Sequence, residues 1–191
     1  LRLVAYRNLL DIGLTEEAAK EYAEGFSVPA GPNDDGETIV DGELLKRPAK
    51  LSDKFVPPFS NDKAARASNS GALPPDLTLM AKARVGGPDY IYGLMTRYKD
   101  EAPEGVELPE GMYYNEVFPG NQIAMAPPLS EEAVEYEDGT KPTLENHAKD
   151  ITAFLNWAAE PELEIRKSMG VKVMIFLILL GADVLNAFLA L

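Results

Sequence analysis

The sequence predicts a mainly α protein of short helices and long loops, with one transmembrane helix at its C-terminal end. Three observations predict this. Residues 171–191, VKVMIFLILLGADVLNAFLAL, are almost wholly apolar. Elsewhere apolar residues recur at helical spacing, as at Leu144, Ala148, Ile151, Phe154, Leu155 and Ala158. The 15 Gly and 15 Pro of the 191 residues gather between those stretches, where they favour turns.

The elements follow in order. Residues 2–12 predict a helix with Leu3, Tyr6, Leu9 and Leu10 on one stripe, ended by Gly13. Thr15 predicts an N-cap for a second helix, with Glu16 and Glu17 in the first turn, where the helix dipole favours acids. Residues 27–61 read as loop, with turn clusters at Gly31-Pro32-Asn33 and Asp34-Asp35-Gly36 and a stiff Pro57-Pro58. A short helix is expected from about Pro75 to Arg84, because Pro suits a first helical turn. Another is expected from Pro88 to Tyr98. Residues 99–142 form a second long loop, and loops of that length are commonly functional or disordered. Thr143 then opens a helix that Pro161 stops beyond Ala159.

The segment PELEIRKSMGVK, residues 161–172, reads as a charged break before the anchor. From Val173 to the end the run spans nearly 30 Å at about 1.5 Å per residue, roughly one hydrocarbon core. A buried core helix of a soluble protein is the alternative. Asp183 interrupts the run, and an acid there is expected to face protein or water, with Asn186 one turn on to share its face. Arg166, Lys167 and Lys172, taken alone, would place this flank in the cytoplasm.

Composition excludes several functions. The net charge of −13 argues against nucleic acid, and either favours basic partners reached by electrostatic steering or only keeps the chain soluble. Without cysteine there is no disulfide, thiol nucleophile or thiolate metal site, and the single histidine excludes a three-histidine zinc centre. The chain begins at Leu1, reads as a mature or shortened chain, and shows no signal peptide.

Two loops carry candidate chemistry. In FPGNQIAMAPPL, residues 118–129, Met125 sits among apolar residues on a loop held by Pro119, Pro127 and Pro128. Its thioether is a soft ligand suited to haem iron or copper(I), although a methionine also fills core gaps. In SGALPPDL (70–77) and ARVGGPDYIYGLMTRY (83–98), Arg84 and Tyr90 suit carboxylates, and Pro74 and Pro75 suit the wall of an apolar ring. The same residues also fit ordinary helix starts and surface charge. His147 lies beside the apolar stripe of its helix and reads as surface, not as a ligand. Glu131, Glu132, Glu135, Glu137 and Asp138 read as a solvated loop or as a docking patch for a basic partner.

The strings VAYRNL, RPAKLSD, ARASNSGALPPDL, GGPDYIYGLMTRY, MYYNEVFPGNQIAMAPPL, DGT, AKDITAFLNWAAEPE and RKSMG, followed by an apolar tail, resemble the cytochrome c1 family in the same order. The shorter loops and acidic surface look more like a bacterial, alphaproteobacterial-type member than a mitochondrial one. Members of that family are the haem subunit of the quinol–cytochrome c oxidoreductase complex, which the resemblance implies for this chain.

The resemblance implies a cytochrome c-like haem domain over residues 1–165 and an anchor over 166–191. It implies Met125 as the axial ligand of haem iron. It also implies Asn69, Ala72, Pro74 and Pro75 lining the haem, Arg84 near a propionate, and Tyr90 beside it. Leu94, Phe118, Ile123 and Pro127 would form the pocket wall. Haem c would be attached through a Cys-x-x-Cys-His motif expected immediately before Leu1 and absent from these residues. The implied partners are cytochrome b, the Rieske iron–sulfur subunit, a soluble or membrane-bound cytochrome c acceptor, and the bacterial inner membrane. The soluble domain would face the periplasm, against the charge reading above. The rival reading is a non-redox, membrane-anchored binding module in which Met125 is core.

Overall fold

The computed structural model describes residues 1–190. It is mostly helical with loops, and it forms two compact units, Leu1–Ala159 and Glu160–Leu191.

In the first unit, one core gathers around Tyr6. A 3-10 helix spans Tyr6–Ile12, where three residues per turn put Tyr6 and Leu9 on one face. Both are buried with Ala19, Ala23 and Ala49. The predicted stripe is thus corrected: Leu3 precedes the helix, and Leu3 and Leu10 are exposed. Gly13 ends the helix in the left-handed region, φ 98°. The α1 helix, Glu16–Glu24, starts as predicted, with the Thr15 hydroxyl accepting from the Ala18 N–H at 3.2 Å. Tyr22, Phe26 and Phe55 pack their rings around Tyr6 at centroid distances of 4.9–6.1 Å.

Residues 27–61 are not all loop. They form two antiparallel pairs: β1 (Ser27–Pro29) with β4 (Lys46–Pro48), and β2 (Ile39–Val40) with β3 (Glu43–Leu44). The Arg47 guanidinium closes on Asp53 with two bonds of 2.6 and 2.9 Å.

A second core joins three helices. It buries Ala81 of α3 (Met80–Ala83), Ile91 of α4 (Pro88–Thr96), and Leu155 and Ala159 of α5 (Leu144–Ala159). Leu1, Met80, Tyr90, Ile151 and Phe154 pack against it. Pro88 occupies the first turn of α4, as predicted. The helix expected from Pro75 to Arg84 is shortened to α3 and starts only at Met80. Asp76 accepts from the Thr78 N–H at 2.8 Å, a local bond that competes with helix and holds a turn. An unpredicted helix, α2, lies upstream at Asp62–Ser68, capped by Asn61.

Within 99–142, a three-stranded antiparallel sheet runs in the order β5 (Tyr98–Lys99), β6 (Tyr113–Asn115), β7 (Gln122–Ile123). Gly93 of α4 is buried against this region: a Cβ there would stand 3.2 Å from Val117 Cγ2.

The second unit holds α6, Leu163–Leu189, which has no buried residue and whose most apolar 18-residue stretch has a mean hydropathy of 2.0. By length and composition it can cross a membrane. The charged stretch read as a break is continuous helix, because Arg and Lys are good helix formers. The Arg166 guanidinium closes on Glu160 at 2.8 Å.

Candidate functional site

Met125 lies just beyond β7, half-exposed, on a segment without regular structure. Its main-chain carbonyl accepts a bond from the Tyr98 phenol at 3.1 Å. That phenol is pushed up to about 12, first by desolvation and then by the neighbouring Tyr90. Tyr98 is thus linked to Met125 by a hydrogen bond and feels Tyr90 electrostatically.

The loop ahead of Met125 hangs on Asn115, which is fully buried. Its Nδ2 donates to the Leu94 carbonyl at 2.9 Å, and its Oδ1 accepts from the Val117 and Phe118 N–H groups at 3.0 and 3.1 Å. Asn121 returns Nδ2 to the carbonyls of Asn115 and Glu116, both at 3.1 Å, from a left-handed conformation, φ 59°. Leu94, Phe118 and buried Ile123 are thus brought into one frame with Met125. Asn115, Asn121 and Tyr98 were missed from sequence. The signal was there: two asparagines bracketing a Pro-Gly turn, Asn115-Glu116-Val117-Phe118-Pro119-Gly120-Asn121.

The upstream segment forms its own frame. Asn69 ends α2, and its Nδ2 donates to the Ala65 carbonyl at 2.7 Å. Ala72 is half-buried, while Pro74 and Pro75 are exposed. Asp76 takes Thr78 Oγ1 at 2.6 Å and Arg2 Nε at 2.5 Å. Burial opposes its ionisation, but the Thr78 and Arg2 bonds outweigh that and hold it well below the usual carboxylate range. Asp76 is a further residue missed from sequence: it ties the Pro-Pro turn to the first residues of the chain. Arg84 follows α3, is exposed, and forms no ion pair among the described residues. Its guanidinium is open to an anion.

The residues present fit part of a haem site. Met125 offers a soft thioether on a braced loop. Leu73, Leu77, Leu79 and Val85 are exposed, with Val85 at 98%, and such apolar side chains suit the face of a porphyrin. Pro127 is also exposed beside Met125. Covalent attachment is not supplied by these 191 residues, which contain no cysteine. His147 keeps its Nε2 without a hydrogen-bond partner among the described residues. It is buried, which corrects the surface assignment: its Nδ1–H donates to the Ser130 carbonyl at 3.1 Å, and Tyr136 stacks on its ring at 5.6 Å. The 130–136 segment folds over a position that helix periodicity leaves at the edge. No cluster of three or more His, Asp or Glu able to hold a metal ion occurs among the described residues. An open groove of about 470 Å³ lies elsewhere, between Pro88, Asp89 and Tyr92 of α4 and Lys149, Thr152 and Asn156 of α5. It contains none of the predicted site residues.

A single apolar helix long enough to cross a membrane and a domain of short helices and braced loops define the class: a membrane-anchored protein with a loop-built domain. Comparison places it further. The model of the cytochrome C1 family matches residues 1–188, and the chain belongs to that family. It is 50% identical to the mitochondrial cytochrome c1 haem protein of Schizosaccharomyces pombe, over 95% of this chain and 57% of that protein. It is 45% identical to cytochrome c1 of Rhodospirillum rubrum, over 100% and 73%. The cytochrome b-c1 complex catalytic subunit of Candida albicans is 49% identical over 91% and 58%. The chain spans little more than half the length of most of these relatives. Several of its relatives are named as haem proteins.

Proposed function

We propose that the full-length protein relays single electrons within the quinol–cytochrome c oxidoreductase complex. It would take them from the Rieske iron–sulfur subunit beside cytochrome b and pass them to a soluble or membrane-bound cytochrome c. The observation that carries this reading is Met125, a thioether on a loop fixed by Tyr98 and Asn115 in a member of the cytochrome c1 family. Haem bound here supplies one-electron ferric–ferrous chemistry, and methionine ligation raises its potential by favouring the ferrous state. The chain's residues supply position and environment. Asn69, Ala72, Pro74 and Pro75 would line the haem, Leu94, Phe118, Ile123 and Pro127 would form the pocket wall, and Arg84 would stand near a propionate with Tyr90 beside it.

In this reading residues 1–165 form the haem domain and 166–191 the anchor, with the haem domain in the periplasm of a bacterial inner membrane. The net charge of −13 supports a basic electron acceptor. Stopped-flow mixing of the reduced full-length protein with a basic c-type cytochrome tests the reading. The second-order rate falls as salt shortens the screening length. A rate independent of ionic strength contradicts acidic steering, and no electron transfer at all contradicts the relay.

A further inference from the structure

We infer that Tyr98 is the positioning residue for the Met125 thioether, acting through the Met125 main chain; this rests on reading Met125 as an axial ligand. The sheet cannot fix Met125 by itself. Its ladder ends at the pair Tyr113↔Ile123, and no described backbone hydrogen bond involves Met125. The described bond to the Met125 main chain comes from a side chain 27 residues earlier, the Tyr98 phenol, at 3.1 Å. Tyr98 belongs to β5, the opposite edge of the sheet, so the bond passes the central strand and ties its two edges together.

The anchor at the other end is firm. Tyr98 pairs in register with Asn115, the buried residue whose side chain holds Leu94, Val117 and Phe118. The chain from Asn115 to Met125 is therefore pinned at both ends, by a carboxamide and by a phenol. Desolvation and Tyr90 push the phenol up to about 12, so it remains a protonated donor through the physiological range.

Groups that orient a metal ligand affect how strongly it competes, because a ligand already in place has less freedom to lose on binding. The Tyr98 bond goes to the carbonyl, not to sulfur. It therefore sets where the thioether stands and leaves the sulfur's donor strength alone. The expected signature is easier displacement of methionine, with the colour of the intact site unchanged.

The test uses the full-length, haem-loaded protein, with imidazole as the competing ligand for ferric iron. Tyr98→Phe deletes one oxygen and keeps the ring. It is expected to raise imidazole affinity about five-fold, the factor carried by one net hydrogen bond, and to lower the reduction potential. The methionine–iron charge-transfer band keeps its position. Tyr113→Phe, removing a half-exposed phenol of the same sheet, leaves both quantities at the wild-type value. Wild-type imidazole affinity and potential in Tyr98→Phe overturn the proposal. If Met125→Leu meanwhile abolishes the band, the ligand reading stands alone; if the band survives Met125→Leu, both fall. Should Tyr98→Phe not accumulate with haem, 4-fluorophenylalanine at position 98 fills the space of the hydroxyl without donating. The same rise in imidazole affinity is then expected, and wild-type affinity overturns the proposal.

Discussion

The Asn115 carboxamide donates to the Leu94 carbonyl at 2.9 Å, tying the end of α4 to the central strand of the sheet across 21 residues. Leu94 lies in the last turn of α4, where helix carbonyls lack intrahelical partners. Asn115 fills that vacancy and also receives two backbone N–H groups of the following turn. One side chain thus couples the second core to the loop that presents Met125.

Replacing Asn115 with Leu keeps the volume and removes three bonds, leaving buried backbone groups unpaired. A cost of about 3 kcal/mol or more is expected. Urea unfolding of the full-length protein measures it. A loss below about 1 kcal/mol would show that the bracket is not structural.

Gly93 meets Val117 at a distance that leaves no slack. Gly93→Ala gains up to about 1 kcal/mol of helix propensity and loses a similar amount to crowding, so it is expected to be near neutral. Gly93→Val costs about 1–3 kcal/mol, and Val117→Ala in the same chain restores part of it. Strict additivity in that double-mutant cycle would mean that the two residues are not in contact.

Acid sensitivity centres on Asp53. The Arg47 guanidinium, then the Lys50 N–H, lower its carboxyl to about 2. A depressed folded value means the stabilisation is complete above the ordinary aspartate value near about 4 and is lost as pH falls through about 2. The urea midpoint is expected to fall across that window, and Asp53→Asn to lower it at neutral pH and flatten the acid limb. An acid limb of unchanged slope in Asp53→Asn rules out this source.

His147 holds the 130–136 segment through the Ser130 carbonyl and the Tyr136 ring. Tyr136 in turn donates to Asp150 at 2.5 Å. His147→Ala removes the bond and the stacking surface. Cleavage of the acidic loop by a glutamate-specific protease is expected to quicken about ten-fold, matching the loss of roughly 1.4 kcal/mol of local closure. Equal cleavage rates would show that the segment is held elsewhere.

Elements with repeated local signals were legible in the sequence. Thr15, Pro88 and the apolar stripe of α5 each mark a helix by a mechanism that acts within a few residues. The strands were not legible, because Tyr98–Lys99 and Gln122–Ile123 are too short to show alternation. DKAARAS of α2 buries only Ala65 and so carries no stripe. Asp76 turned an expected helix start into a turn by bonding its own neighbour. In the site, Met125 stood out as a soft ligand, but its role rests on the family pattern. Tyr98 and Asn115 act on distant backbone groups, and Asp76 also on the distant Arg2 side chain, which no local pattern announces.

The most direct measurement is the optical spectrum and reduction potential of full-length, haem-loaded protein carrying Met125→Leu. Loss of the methionine–iron charge-transfer band and a markedly lower potential are expected. A spectrum and potential identical to those of the wild type would contradict Met125 as the ligand, and with it the reading of the braced loop as a haem site.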